Sequence, residues 1–522
     1  MPRQRSIGSA LTLAVGLGIA LAPFGGLGAA AVAAPAPPAP PGRAAGSMQA
    51  GKAGISAPSS LPTRLGRLEF ENGYPTAATA RKLYDELDLQ RATQAYLWAL
   101  PAVGFKALYD AQAKTMGVRN GDVLLYRTLQ DKAGMLTPNI TTLYAFSFWD
   151  LAAQGPLVVE VPAGLTAGGV LDIWQQPITD MGQTGPDKGA GGRYLILPPG
   201  GPELVVPGYR IFRSPSNQIW FGTRGLAADK AVAEATVRQH RLYGWSQRAQ
   251  PPVSRYVEVG GRPWQSAQPA DLAYWRLLSE LYANEPVAPR DRMMFGLLAP
   301  LGISPGQPFN PDGRQAGILR EAAQLGDLMA RTIAYDKRTP GATVYPGKQW
   351  EYAVLFDLDQ EAPDKRRVQF DERSSWFYEA IGMSVGMQGR VLGFGQVYLE
   401  ASKDGRGQWL DGGKTYRMRV PANPPVKQFW SITLYDNLTR GPLLTGQGAA
   451  DLSSRRPDLL TNADGSVDLI FGPIRPAGAS NWIQTIPGKG WFAYFRFYGP
   501  TEPYFSKNWQ LNDITPLSGA ER

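Results

Sequence analysis

Between residues 410 and 514 the chain alternates apolar and polar side chains with the two-residue period of a half-buried strand. Tyr416, Met418 and Val420 fall on one face, and Arg417 and Arg419 on the other. Val467, Leu469 and Phe471 repeat the pattern against Asp468. Gly412-Gly413 and Asp464-Gly465 supply tight turns between such runs. The same period recurs upstream and predicts strands at 142–148, 157–161, 170–175, 194–197, 209–213 and 218–221. Residues 176–192, rich in Gly, Pro, Thr and Asp, read as a long loop off that sheet.

Elsewhere the spacing turns helical. Tyr96, Leu100, Val103 and Ala107 form an apolar stripe on a helix from Leu89 to Met116 that is expected to kink at Pro101. Thr76 caps a shorter helix ahead of it. Residues 228–246, 270–283, 291–301 and 314–334 read as a helical connector, and 371–387 as a further helix. The expected fold class is α+β, mainly β: two antiparallel jelly-roll-like β-sandwiches joined and flanked by helices. The expected organisation is a signal peptide over 1–33, a tether over 34–65, a helical hairpin with the first sandwich over 66–225, a helical connector over 226–340, and the second sandwich over 341–522.

Gln-Phe-Trp-Ser-Ile-Thr-Leu-Tyr-Asp (428–436), Asn-Ala-Asp-Gly-Ser (462–466), Asn-Trp-Ile (481–483) and Phe-Arg-Phe-Tyr-Gly-Pro (495–500) resemble the bacterial domain of unknown function DUF1214. Leu-Thr-Pro-Asn-Ile-Thr-Thr-Leu-Tyr (136–144) and Gly-Pro-Leu-Val-Val-Glu-Val-Pro (155–162) resemble its usual partner, DUF1254. The resemblance implies two β-rich sandwiches with helices around them, and no settled activity. The chain departs from it at Asn139-Ile140-Thr141, where such proteins often carry Asn-Asn-Asp.

Composition narrows the chemistry. At 522 residues the chain is long enough for several cores, and 60 Gly with 45 Pro favour the many turns of β architecture. No cysteine is present, which excludes disulfides, thiolate metal sites and a Cys nucleophile. A single histidine excludes multi-His metal centres. Net charge is +9, and losing Arg3 and Arg5 with a leader leaves +7. The basic residues are scattered and not interleaved with aromatics, so nucleic acid is not an expected partner.

Arg3 and Arg5, the apolar stretch 10–22 and Ala31-Val32-Ala33 have the order of a cleaved export signal, so the expected location is periplasmic or secreted. No other run is long and apolar enough to span a bilayer. Residues 35–62, rich in Ala, Pro, Gly and Ser, read as a flexible tether.

Several residues are candidates for function. Gly382-Met383-Ser384-Val385-Gly386 has the spacing of a nucleophile elbow, but it sits in a predicted helix and the one His lies upstream, which favours close helix packing. His240 is a candidate general base, against a plain surface role. Glu160, Asp172 and Asp180, with Asp357 and Asp359, are the carboxylates from which an acid–base pair or a calcium site could be built, against simple loop caps. Trp174, Tyr144, Tyr194, Trp220, Trp430, Tyr435, Trp482 and Trp491 belong to an aromatic-rich set that is mostly expected to be core. Trp174 stands apart because it leads into the 176–192 loop. Arg193, Arg440 and Arg496 are candidates to take a carboxylate or sulfate, against rim ion pairs.

The leading expectation is an exported binding protein that holds a small molecule or saccharide in a sandwich cleft. Its expected lining is Asn139, Tyr144, Trp174, Gln176, Asp180, Arg193 and Arg440, with no cofactor. The alternative is an exported glycosidase-like hydrolase or lyase working through Asp172, Asp180 or His240, with or without calcium. A third reading is an envelope assembly component that forms a homo-oligomer.

Overall fold

The computed structural model describes residues 58–517, so the expected signal peptide and most of the expected tether lie outside the described residues. The fold is α+β and mainly β, with mostly antiparallel sheets. Of the described residues, 58–74 belong to a unit of their own. In it Ser60–Thr63 pairs antiparallel with Gly66–Glu71. The end of the composition-based tether is thus a hairpin. Gly66 at φ +86° and the Thr63 hydroxyl, which donates to the Gly66 carbonyl, close its turn.

The second unit begins at Pro75 and carries two sandwiches. In the first, a six-stranded sheet runs in the order 256–258, 123–126, 143–150, 218–225, 166–171, 177–182. It packs on a four-stranded sheet ordered 209–213, 192–197, 157–161, 241–244. Val123, Trp149, Val159, Tyr194, Ile196 and Phe221 are among the side chains buried between them. In the second, a five-stranded sheet ordered 351–352, 396–401, 491–500, 426–436, 451–453 packs on a four-stranded one ordered 482–484, 467–472, 416–420, 515–516. Met418, Phe471, Phe495 and Phe497 belong to that core.

Between the large sheets of the two sandwiches lies a shared layer. Helices Ala77–Met116, Leu272–Leu281, Gly313–Tyr335 and Phe370–Glu379 contribute to it, together with inward faces of both sheets. Helix packing there is tight: Tyr96 stacks on Tyr274 at 3.9 Å, and a Cβ at Gly326 would sit 2.5 Å from the Tyr96 ring. Among the described residues no helix is long and apolar enough to cross a membrane.

Four sequence expectations give way. The two helices expected on either side of residue 88 are one, Ala77–Met116, with Pro101 inside it. Proline removes the donor that the Leu97 carbonyl would have used, and Ser374 Oγ sits 3.5 Å from that oxygen instead. The helix expected over 228–246 ends at Val237, and Arg241–Gly244 pairs as a strand with Leu157–Val161. The helix expected over 371–387 stops at Glu379, because Ala380 is extended and Gly382 takes φ +75°. The expected 176–192 loop contains a strand: Pro177–Gly182 is the edge of the six-stranded sheet, and proline is tolerated at the first residue of an edge strand.

Candidate functional site

Two-residue periodicity builds the site. In strand Gln218–Gly225, Ile219 and Phe221 face the sandwich core, so Trp220, Gly222 and Arg224 face the other way. In strand Leu143–Asp150, Tyr144 and Phe146 share that second face. Across the layer, Val397 and Leu399 fill the second sandwich, which turns Gln396 and Tyr398 inward. Phe495 and Phe497 likewise leave Tyr494, Arg496 and Tyr498 pointing at the first sandwich.

These faces line a cavity of about 100 Å³. Its walls include Phe146, Leu171, Trp220, Trp376, Tyr398 and Met383. Residues 380–387 close one side. There Gly382 presses on Trp220, where a Cβ would come within 2.9 Å of the ring. The short turn Val385–Met387 is held from below: the Asp180 carboxylate accepts from the Val385 and Gly386 N–H groups at 3.2 Å each.

Two guanidinium groups border this apolar space. Arg496 is 2% exposed. It donates to the Thr137 carbonyl at 2.8 Å and to Thr433 Oγ1 at 3.4 Å, and its Nε has no partner. The rings of Tyr494, Tyr398 and Tyr435 lie 5.1, 5.4 and 5.6 Å from it. Arg224, half-buried, donates to Gln396 Oε1 at 2.7 Å and lies over Tyr144 at 5.1 Å. Burial opposes the charge of both, but the surrounding tyrosine oxygens outweigh it and push both pKa values up. Among the described residues neither makes an ion pair. Nearby, Lys132 is buried and brought down to about 7 by desolvation, and it donates to the Thr142 carbonyl at 2.6 Å.

A second polar cluster adjoins the first through Tyr494. Its hydroxyl donates to Glu379. Lys337 Nζ lies 2.5 Å from Glu400, 3.4 Å from Glu351 and 3.8 Å from Glu379. Burial and mutual repulsion hold Glu379 well above the usual carboxylate range, and Glu400 is raised as well.

The structure disperses most of the residues singled out from sequence. Tyr144 lines the cavity, and so do Trp220, Arg496 and Ser384. Asn139 does not. It ties the sandwiches together, with Nδ2 donating to Tyr498 Oη at 2.5 Å and Oδ1 accepting from Thr142 N at 2.9 Å. Trp174 is core, 5.1 Å from Trp98. Gln176 donates to the Asp359 carbonyl at 2.8 Å and, with Asp180, borders a separate outer groove. Arg193 lies over Tyr209 at 4.8 Å. Arg440 is buried, donating to Gln268 Oε1 at 2.9 Å and the Tyr378 carbonyl at 3.1 Å.

The carboxylate candidates have separate partners. Asp172, pushed up to about 7 by burial, accepts from Gln176 N. Asp180, pushed up to about 6 by burial, caps the Val385–Met387 turn. Glu160 accepts from Tyr243 Oη at 2.7 Å. Asp357 and Asp359 pair with Arg390 and Lys365 on the surface. His240 is buried between helix and strand, with Nδ1 2.9 Å from the Val237 carbonyl, and desolvation brings it down to about 4. Arg224, Gln396, Tyr398 and Trp376 were not anticipated as site residues. The first three sit at alternate strand positions whose opposite neighbours are plainly core, a signal that was present in the sequence.

Residues 122–244 match the family described as "Protein of unknown function (DUF1254)", and residues 395–502 match "Protein of unknown function (DUF1214)". Among solved structures, the chain resembles the VPA0106 protein from Vibrio parahaemolyticus at 18% identity and a TM-score of 0.52, covering 83% of this chain and all of that one. A putative uncharacterized protein from Burkholderia cenocepacia aligns at 12% identity and a TM-score of 0.39, over 84% of this chain and 98% of that one. The first likeness is one of fold. No curated protein matches. The cavity is bordered by residues of both matched segments, and the chain carries the two domains of unknown function, DUF1254 followed by DUF1214.

Proposed function

We propose that this is an exported binding protein that holds one small, largely apolar molecule in the cavity between its two sandwiches. A single observation carries the reading: an aromatic-walled cavity of about 100 Å³ lies where the two family segments meet. An engineered apolar cavity of about 150 Å³ elsewhere takes up benzene, so the space suits a ring or a short chain better than an oligosaccharide. Two tryptophans in the wall, Trp220 and Trp376, make occupancy visible by fluorescence. Export is supported by the order of charged, apolar and small residues over 1–33.

The test is a melting-temperature screen of the purified chain against ring-sized compounds, repeated on Ala380→Phe, which pushes a ring into the cavity wall. A ligand that binds the folded state raises the midpoint by mass action. The expected outcome is a shift, with a change in tryptophan emission, that Ala380→Phe abolishes. A shift that survives the filled cavity would place binding elsewhere.

A further inference from the structure

We propose that the ligand is a small carboxylate on an apolar body, its anionic end taken by Arg224 and Arg496. The inference rests on the cavity being a binding site and adds the chemistry of what it selects. The cavity border has a surplus of donors. Arg496 is buried and its Nε has no partner, and the Trp220 Nε1, a donor only, is buried and unpartnered too. Arg224 has a neutral partner in Gln396 and no carboxylate. Asp451, a carboxylate that feels the charge of Arg496, is engaged with Thr141 Oγ1 at 3.1 Å and forms no ion pair with Arg496.

A buried guanidinium without a counter-ion, such as Arg496, is costly, and folds normally pair it. A ligand that brings two acceptor oxygens and one negative charge answers the charge and the orphan donors together. Phosphate would satisfy the forks equally well. The limited volume and the apolar walls favour the flatter, singly charged group.

The experiment uses the full chain and three matched probes: benzoate, benzamide and phenyl phosphate, compared by calorimetry and thermal shift. Benzoate is expected to bind at least about tenfold tighter than benzamide, the effect of one charge-assisted hydrogen bond or more. Arg224→Gln should reduce that ratio toward one, and Arg224→Lys should retain part of it, because the charge remains while the fork is lost. If Arg224→Gln does not fold, the acid-to-amide ratio of the unmodified protein decides alone. Equal binding of benzoate and benzamide overturns the anion inference and leaves the cavity reading standing. Tighter binding of phenyl phosphate overturns the carboxylate assignment. Failure of all three probes to bind overturns this inference and the proposed function together.

Discussion

The five-stranded sheet of the second sandwich has two faces built by the same strands, and they are opposites. Its outer face carries Leu399, Ile432, Leu434, Phe495 and Phe497, and Phe495 stacks on Trp430 at 5.4 Å. Its inner face, one residue out of step, carries Tyr398, Glu400, Ser431, Tyr494, Arg496 and Tyr498. Both are buried, so burial alone does not distinguish them. The outer face is held by apolar contact, which is non-directional and tolerates many arrangements. The inner face must find a partner for each polar atom, so it fixes geometry atom by atom. Partners run out there at Tyr398 Oη, Glu400 Oε1 and Arg496 Nε, which have none.

The comparison breaks first at Lys337. Lys337→Met leaves Glu400 and Glu351 without their cation, and removing one partner of a buried pair costs about 3–5 kcal/mol. Because more than one carboxylate is stranded, the loss is expected near the upper end, read by urea unfolding. On the outer face, Phe495→Ala should cost about 4 kcal/mol through cavity formation, with little dependence on pH. An equally pH-dependent loss at both positions would erase the distinction between the faces.

The sandwich interiors were more legible in sequence than the layer between the sandwiches, for a physical reason. Strand Tyr416–Val420 alternates cleanly between buried and exposed, so its period shows at once. Strand Trp491–Pro500 is buried at all ten positions, and aromatics sit on both faces. Arg496 therefore reads as a rim residue, although it lies deep. Arg224 was lost because the strand was expected to end at Phe221, while it runs on to Gly225. The 176–192 excursion drew attention through its Gly and Pro content, yet it contains an edge strand, and Trp174 before it is core. The two sandwiches follow from local periodicity. The cavity follows from how the sandwiches face each other, which no local pattern encodes.

A pH profile sharpens the contrast. Glu379 has its folded pKa raised above the ordinary 4.5. Its contribution to stability is therefore fully present below about pH 4.5 and is lost as pH rises toward the folded value, with a slope of at most about 1.4 kcal/mol per pH unit. Glu379→Gln imitates the protonated form and should flatten that decline. Stability of the variant relative to the unmodified chain is expected to increase between pH 5 and 8, measured by denaturant midpoints. A parallel pair of profiles would mean that Glu379 is ionised in the fold.

The smallest effect tests whether the inner face works as a network. Asn139 Nδ2 reaches Tyr498 Oη at 2.5 Å and Ser431 Oγ at 3.3 Å, joining a loop of the first sandwich to the second. Tyr498→Phe keeps the ring and its stacking on Phe429 at 3.9 Å, and deletes only the hydroxyl. The expected cost is about 1 kcal/mol, the net worth of one buried hydrogen bond, because Ser431 still satisfies the amide. Asn139→Ala alone should cost more, since Thr142 N also loses its acceptor. Combined, the two changes should cost less than their sum, because the second removes a bond already gone. Strict additivity in that cycle would show that the inner face, like the outer one, is held by independent contacts.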